Sequence, residues 1–297
     1  MNSVLRLSKI LEFLQQSDEN HPLKAKYILS KLGLEVDIRT IQRDIKKLKE
    51  EFMIPIENIK GNGYYLSNTD FWYNSQNLAR FFELEGTIEQ LKGTFLNNKS
   101  GLVYVDLEKN QRFKGLEYIR PCLEAIEKKK VLTFNYKKFH DEVSTEYSIQ
   151  PYLLKEYQNR WYVIGIPANV KHVQTFGLDR IESIKVMNAT FKRNPDLHPE
   201  DNFERIIGLN YSNGKTEKVL LKFTKEQGQY IKTLPLHHSQ EVFKEDENTS
   251  WIQLTLIPNF ELKQRILFYT PNVEIISPNW LREEIIQDLK KGISNYS

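Results

Sequence analysis

Cysteine is all but missing. Cys122 is the only one in 297 residues, so no internal disulfide can form and nothing calls for an oxidising compartment. Long apolar runs are missing as well: the longest, around Trp161, falls far short of the ~20 residues that cross a bilayer. The N-terminal Met-Asn-Ser-Val turns amphipathic at once, without the basic-then-apolar order of a signal peptide. A soluble, cytoplasmic chain with no membrane partner is expected. Neither sign of charge dominates, since 42 Lys and Arg against 39 Asp and Glu leave only +3, and any case for nucleic acid must come from local charge. The motifs of catalysis are absent too. There is no Gly-x-x-x-x-Gly-Lys, His-Glu-x-x-His or Gly-x-Ser-x-Gly, and Gly61-x-Gly63 lacks a third glycine and a βαβ context. No carboxylate pair has a spacing that argues for acid–base chemistry. Cys122, beside Pro121 in a helical stretch, reads as a small core residue. No enzyme, cofactor or metal is expected.

What is present fits a globular chain of two or three domains: 40% hydrophobic and 27% charged residues. An α+β multidomain fold is predicted. Residues 1–67 read as three helices and a hairpin. Leu5, Ile10, Leu11 and Leu14 form one stripe; after His21-Pro22, Ala25, Ile28, Leu29 and Leu32 form another, with Gly33 at the helix C′ position. Asp37 is placed to cap a third helix whose Ile38, Ile41, Ile45, Leu48 and Phe52 face a core. The Asn-Gly of Lys60-Gly61-Asn62-Gly63 then predicts a hairpin turn between two short strands.

The outer surface of that third helix is basic. A turn followed by such a helix has the shape that enters a major groove. Arg39, Thr40, Gln42 and Arg43 lie at the end where base edges are read, Arg matching guanine and Gln matching adenine. Lys46, Lys47 and Lys49 follow, suited to phosphates, and Lys60 on the wing reaches for another. The run Arg39-Thr40-Ile41-Gln42-Arg43-Asp44, with the Gly-Asn-Gly-Tyr wing, resembles the winged helix-turn-helix of DeoR-like bacterial regulators. Double-stranded operator DNA is the partner this implies.

Residues 68–115 are again helical in pattern, with Leu78, Phe81, Phe82, Leu84, Ile88 and Leu91. They read as a linker that dimerises or bridges domains, or else as a helix packed on its own neighbours. Residues 116–193 begin with a helix, and Val131–Tyr136 alternates as a half-buried strand; several short strands follow, predicting a small, strongly bent sheet or barrel. Tyr136, Lys137, Lys138, Tyr152, Lys155, Arg160, Tyr162 and Arg180 mix rings with positive charge, as single-strand binders do, though a barrel core with basic residues outside gives the same mixture.

Arg160-Trp161-Tyr162-Val163-Ile164-Gly165 and Thr175-Phe176-Gly177-Leu178-Asp179-Arg180-Ile181 resemble the WYL domain, as do Phe134-Asn135-Tyr136 and Gln150-Pro151-Tyr152. That resemblance implies an Sm-like β-barrel that senses a nucleic-acid or nucleotide-like ligand through Tyr136, Lys138, Tyr152, Arg160 and Arg180. It further implies a ligand-responsive transcription factor, a homodimer on an inverted repeat and a repressor, with phage defence and DNA damage as settings. Gln174 and Gly177 depart from it, standing where many members carry Arg, and Val163 replaces the naming leucine.

Residues 194–216 are polar and Pro-containing, a connection. Strands and helices alternate through 217–297, predicting a small α/β sandwich that resembles the extension following WYL domains. Its last helix is read with Ser277 as N-cap and Pro278 at N1. His237-His238 sits in a loop of that extension, where an extended backbone would turn the two rings apart and argue against a metal site. Two other readings stay open: a single-strand nucleic-acid module working through the barrel, and a DNA-binding protein that takes no ligand.

Overall fold

The computed structural model describes residues 3–67, 72–97 and 114–296, which fall into two compact units, Met1–Lys109 and Asn110–Ser297. In the first, α1 (Ser3–Gln15), α2 (Ala25–Leu32) and α3 (Ile38–Glu50) precede a hairpin of β1 (Ile56–Ile59) and β2 (Gly63–Leu66). The Asp37 side chain accepts the Arg39 N–H at 2.7 Å, and Gly33 ends α2 in the left-handed region at φ 62°. Ile41, Ile45 and Leu48 are fully buried, each stabilising the pose of α3 by about 1.5–3 kcal/mol. Leu23 and Tyr64 exchange backbone hydrogen bonds of 2.8 and 2.9 Å and so tie the wing to the start of α2. Gly63 permits that approach, because a Cβ there would lie 2.4 Å from the Leu23 carbonyl oxygen.

The next helix, α4 (Trp72–Asn97), belongs partly to this core. Phe82 is fully buried, meets Phe52 edge-on at 4.7 Å, and Ser8 Oγ donates to the Ala79 carbonyl at 3.1 Å. Here the linker packs on its own neighbours. Phe81, Leu84 and Ile88 stay exposed on its other side. The Leu91 side chain and residues 68–71 and 98–113 lie outside the described residues.

Among the described residues, one ion pair is buried in this unit: Arg6 of α1 donates through Nε to Asp44 of α3. Asp44 belongs to the basic-helix motif yet faces inward. Truncating it would strand the Arg6 guanidinium in the core, at a cost of about 3–5 kcal/mol. Asp44→Ala is expected to lose amide hydrogen-exchange protection across α1 and α3 in the full chain. Arg6→Met with Asp44→Leu is expected to recover most of it.

The second unit opens with a 3₁₀ turn (Leu116–Tyr118) and α5 (Ile119–Glu127), which lies on a five-stranded antiparallel sheet. Its strands are β3 (Lys130–Tyr136), β4 (Thr145–Tyr157), β5 (Arg160–Pro167), β6 (Gln174–Gly177) and β7 (Ile181–Thr190), in the order β6-β5-β4-β3-β7. Register shifts in β3–β7 and at Pro151–Leu153 mark the bulges that bend it. The expected strongly bent sheet forms, and among the described residues it does not close into a barrel. Among the described residues, edges β6 and β7 do not pair, because β6 is only four residues long and runs straight into the 3₁₀ turn Leu178–Arg180. Single bonds hold that edge instead: Gly177 N–H donates to Tyr136 Oη at 3.2 Å, and Lys137 N–H to the Arg180 carbonyl at 3.1 Å. Phe134, Tyr136, Tyr147 and Phe176 pack ring on ring beneath, with Cys122 fully buried nearby, its thiol pushed up to about 12 by burial.

The connection holds a short helix, α6 (Pro199–Glu204), started by Pro199 in its first turn. Beyond it come β8 (Glu217–Thr224), α7 (Lys225–Thr233), β9 (Glu241–Glu245), β10 (Thr249–Leu256), α8 (Phe260–Tyr269), β11 (Val273–Ser277) and α9 (Asn279–Ser294). The sheet order β11-β8-β10-β9 makes a two-layer split βαβ sandwich. Pro278 stands at the N-cap position of α9 without a side-chain cap bond, so the helix starts one residue later than expected.

His237 and His238 do not diverge. The backbone turns there, the rings lie 4.1 Å apart, and each Nε2–H donates to the Glu204 carbonyl at 2.7 Å. Burial, with His238 adjacent, lowers His237 to about 4 from its ordinary 6.5. Between those values the unfolded chain binds the extra proton, so stability is full above pH 6.5 and falls as pH drops toward 4. The slope approaches about 1.4 kcal/mol per pH unit where one whole proton separates the states. Urea unfolding at pH 7 and pH 5 is expected to show this loss in the wild type and a shallower one in His237→Gln.

Candidate nucleic-acid face and ligand cleft

The periodicity that buries Ile41, Asp44, Ile45 and Leu48 turns the opposite side of α3 to solvent. Arg39, Gln42, Arg43, Lys46, Lys47 and Lys49 are exposed, Thr40 is half-buried at the flank, and Lys60 is exposed on the wing. These residues divide electrostatically. Lys46 has Glu50 within 3.8 Å, Lys47 has Glu51 within 3.8 Å, and Lys49 has Glu57 of β1 within 3.5 Å. Arg39, Arg43 and Lys60 have no carboxylate partner among the described residues. The N-terminal half of α3 therefore presents two arginines without a side-chain ion pair among the described residues, with Gln42 between them in sequence. Exposed pairs at such distances contribute little, so the lysines remain available to a phosphate that displaces a carboxylate.

In the second unit a cleft of about 410 Å³ opens beside β6. Tyr136, Lys138 and Arg180 line it, together with Gln174. Arg180 is clamped: its guanidinium lies 4.9 Å from the Tyr136 ring and 4.5 Å from Phe139, and its buried Nε has no hydrogen-bond partner among the described residues. Burial raises the Tyr136 phenol above its ordinary value. The Tyr147 phenol beside Lys138 holds its ammonium above the usual lysine range, so Lys138 stays charged. No Asp or Glu lines the cleft among the described residues.

The other two expected ligand residues lie elsewhere. Arg160 is exposed, with Asp179 4.0 Å away. Tyr152 is buried: its Oη accepts the Asn194 N–H at 3.2 Å, and Arg193 stacks on its ring at 4.8 Å. Gly177 is held by its neighbours, since a Cβ there would sit 2.6 Å from Asp179 Oδ1 and 3.2 Å from the Arg180 guanidinium. Gln174 spends its amide on His172 at 3.1 Å.

Sequence reasoning missed two parts of this site. Phe139, 72% exposed, is the outer plate of the Arg180 clamp; its signal was an aromatic next to Lys137-Lys138. Leu209, Asn210 and Tyr211 also line the cleft, and nothing local marks them out. No group of three or more candidate metal ligands exists among the described residues, and no described helix is long and apolar enough to cross a membrane.

Three family models match the chain: an HTH domain over residues 6–65, the WYL domain over 117–186 and the WCX domain over 215–293. No curated protein matches it. Among solved structures, proteasome accessory factor B/C (PafBC) of Arthrobacter aurescens aligns over 97% of this chain at 18% identity and a TM-score of 0.32. The chain spans 46% of the length of that protein. A second structure, described as a CRISPR Cas-related protein, aligns over 99% of this chain and 84% of its own at 12% identity and a TM-score of 0.40. With the three models falling in order on the three-helix unit, the bent sheet and the split βαβ sandwich, the chain belongs to the WYL-domain proteins that carry an N-terminal helix-turn-helix and a C-terminal WCX domain.

Proposed function

We propose that this protein is a ligand-responsive, DNA-binding transcriptional regulator rather than an enzyme, acting in the cytoplasm as a homodimer and repressing in its resting state. The observation that carries the DNA half is the uncompensated Arg39 and Arg43 on the outward face of a helix-turn-helix α3. Lys60 and the displaceable lysines Lys46, Lys47 and Lys49 supply phosphate contacts around them, with Thr40 and Gln42 at the base edges. Exposed Phe81, Leu84 and Ile88, on one side of α4, fit a helix that buries that side against a second copy. Two copies would read half-sites about 10 bp apart or a multiple of it.

The ligand half rests on the cleft. Lys138 and the stacked Arg180 face it without an opposing carboxylate, which favours an anionic ligand carrying a flat ring, a nucleotide or a short single strand. Arg160, exposed beside Asp179, would add charge from outside the cleft, and Tyr152 would act indirectly by holding Arg193 and Asn194 in place. Such a ligand regulates only if it binds the DNA-competent and incompetent conformations unequally.

Fluorescence anisotropy on the gene's own upstream region, at two salt concentrations, with and without short single-stranded DNA, tests both halves. Arg43→Ala is expected to weaken specific binding by about 1–3 kcal/mol, and Lys60→Ala to lower the salt slope by about one. Added oligonucleotide is expected to shift operator binding in the wild type and not in Arg180→Ala. Binding no tighter than to random duplex overturns the regulator reading and leaves a single-strand module. Selective binding that no oligonucleotide shifts overturns the ligand reading alone.

A further inference from the structure

Part of the wall of the cleft is not built by the bent sheet. Leu209, Asn210 and Tyr211 come from the connection; the first two are held by the C-terminal sandwich, and Tyr211 packs on Phe203 of α6 with ring centroids 5.8 Å apart. Glu261, the second residue of α8, is buried, and its Oε1 accepts both the Leu209 N–H and the Asn210 N–H at 2.9 Å. Its Oε2 accepts from Asn259 Nδ2 at 2.9 Å, and that same amide donates to the Ile207 carbonyl at 2.6 Å. Gly208 makes the turn possible at φ +81°, and a Cβ on it would sit 2.5 Å from Glu261 Cγ. From the sheet side the wall receives one long bond, Thr175 Oγ1 to the Leu209 carbonyl at 3.4 Å.

A buried carboxylate with two backbone N–H donors is a charge-assisted grip, and it has no cationic partner among the described residues to fall back on. Releasing Leu209 and Asn210 would strip Oε1 of both donors and leave only the Asn259 bond on Oε2, which holds these two residues in place. We propose that Glu261 is a positioning residue of the ligand cleft, making the site a composite of the WYL sheet and the C-terminal domain. The inference rests on the reading of this cleft as the ligand site. Ligand affinity and the seating of α8 are then one equilibrium: a ligand that presses on residues 209–211 is felt at Glu261, and loosening Glu261 weakens the ligand.

The test uses the full chain and a short fluorescein-labelled single-stranded DNA. Glu261→Ala removes both acceptors, and about a tenfold loss of affinity is expected from two charge-assisted bonds partly replaced by water. Glu261→Gln keeps one oxygen in place and is expected to stay within about threefold of the wild type, a rescue that general destabilisation would not produce. Gly208→Ala, which pushes Glu261 aside while keeping its charge, is expected to follow Glu261→Ala and decides the matter alone should that variant not fold. Amide exchange adds a direct readout: oligonucleotide should slow exchange at Leu209 and Asn210 in the wild type and not in Glu261→Ala. Wild-type binding that both variants match, with unchanged exchange at those amides, overturns this inference and leaves the ligand reading standing. A wild type that binds no oligonucleotide overturns the ligand reading, and this inference with it.

Discussion

A charge taken out of water must find its partner inside the fold, and that requirement sets the pose of α3. Asp44 sits on the buried side of the helix whose other side carries Arg39 and Arg43. Its partner Arg6 lies on α1, so the ion pair fixes both the rotation of α3 about its axis and its height against α1. Apolar packing alone would tolerate a small slide, since Ile41, Ile45 and Leu48 can repack against similar surfaces. A hydrogen-bonded pair of buried charges cannot slide without leaving one unsatisfied. Whatever α3 presents to solvent, it presents at an angle set by a residue 38 positions away in sequence.

The same constraint governs the connection in the second unit. An irregular segment that crosses between two sheets has backbone groups with no ladder to join, and buried ones must be met by side chains. Asn202 serves Ser212, Asn259 serves Ile207, and Glu261 serves Leu209 and Asn210. Every one of those side chains begins or caps a helix or lies within its first turns. The segment is thus held by helix starts, one within the connection and one in the C-terminal domain, and the cleft it lines inherits its shape from elements that do not line the cleft.

That distinction explains what the sequence could and could not disclose. Local periodicity and capping placed α3, and Asp37 does cap it; the Asn-Gly signal placed the wing. Strand β9 was invisible because Glu241-Val-Phe-Lys-Glu lies on a sheet edge with every residue exposed, so no alternation betrays a buried face. Helix α6 was hidden in a polar, Pro-containing stretch, although Pro199 in its first turn was a start signal. The pairs Lys46–Glu50 and Lys47–Glu51 were legible as i,i+4 contacts, whereas Lys49–Glu57 needed the wing to fold back on α3. Arg6 with Asp44, and Leu209–Asn210 with Glu261, are long-range partners that no window contains. For the ligand residues, the resemblance to the WYL domain grouped Tyr152 and Arg160 with Tyr136, Lys138 and Arg180. Pairing separates them, because the bulge at Pro151 displaces Tyr152 from the row its neighbours occupy.

Electrostatics then divides labour within each site in the same way. On α3 the lysines carry their own counter-charges and the two arginines do not, so the strongest unsatisfied field falls where bidentate recognition is possible rather than where phosphates are merely attracted. In the cleft, Arg180 is stacked instead of ion-paired, which keeps its charge and its hydrogen-bonding edge unspent while fixing its plane. Both arrangements raise the cost of the empty state slightly and so sharpen the difference between right and wrong partners. If the two are coupled, linkage requires the effect to be mutual: whatever factor a ligand imposes on operator affinity, the operator imposes on ligand affinity. A cleft partly lined by a connection that the C-terminal domain grips gives that coupling a physical seat, because a ligand there touches more than the sheet that holds the cations.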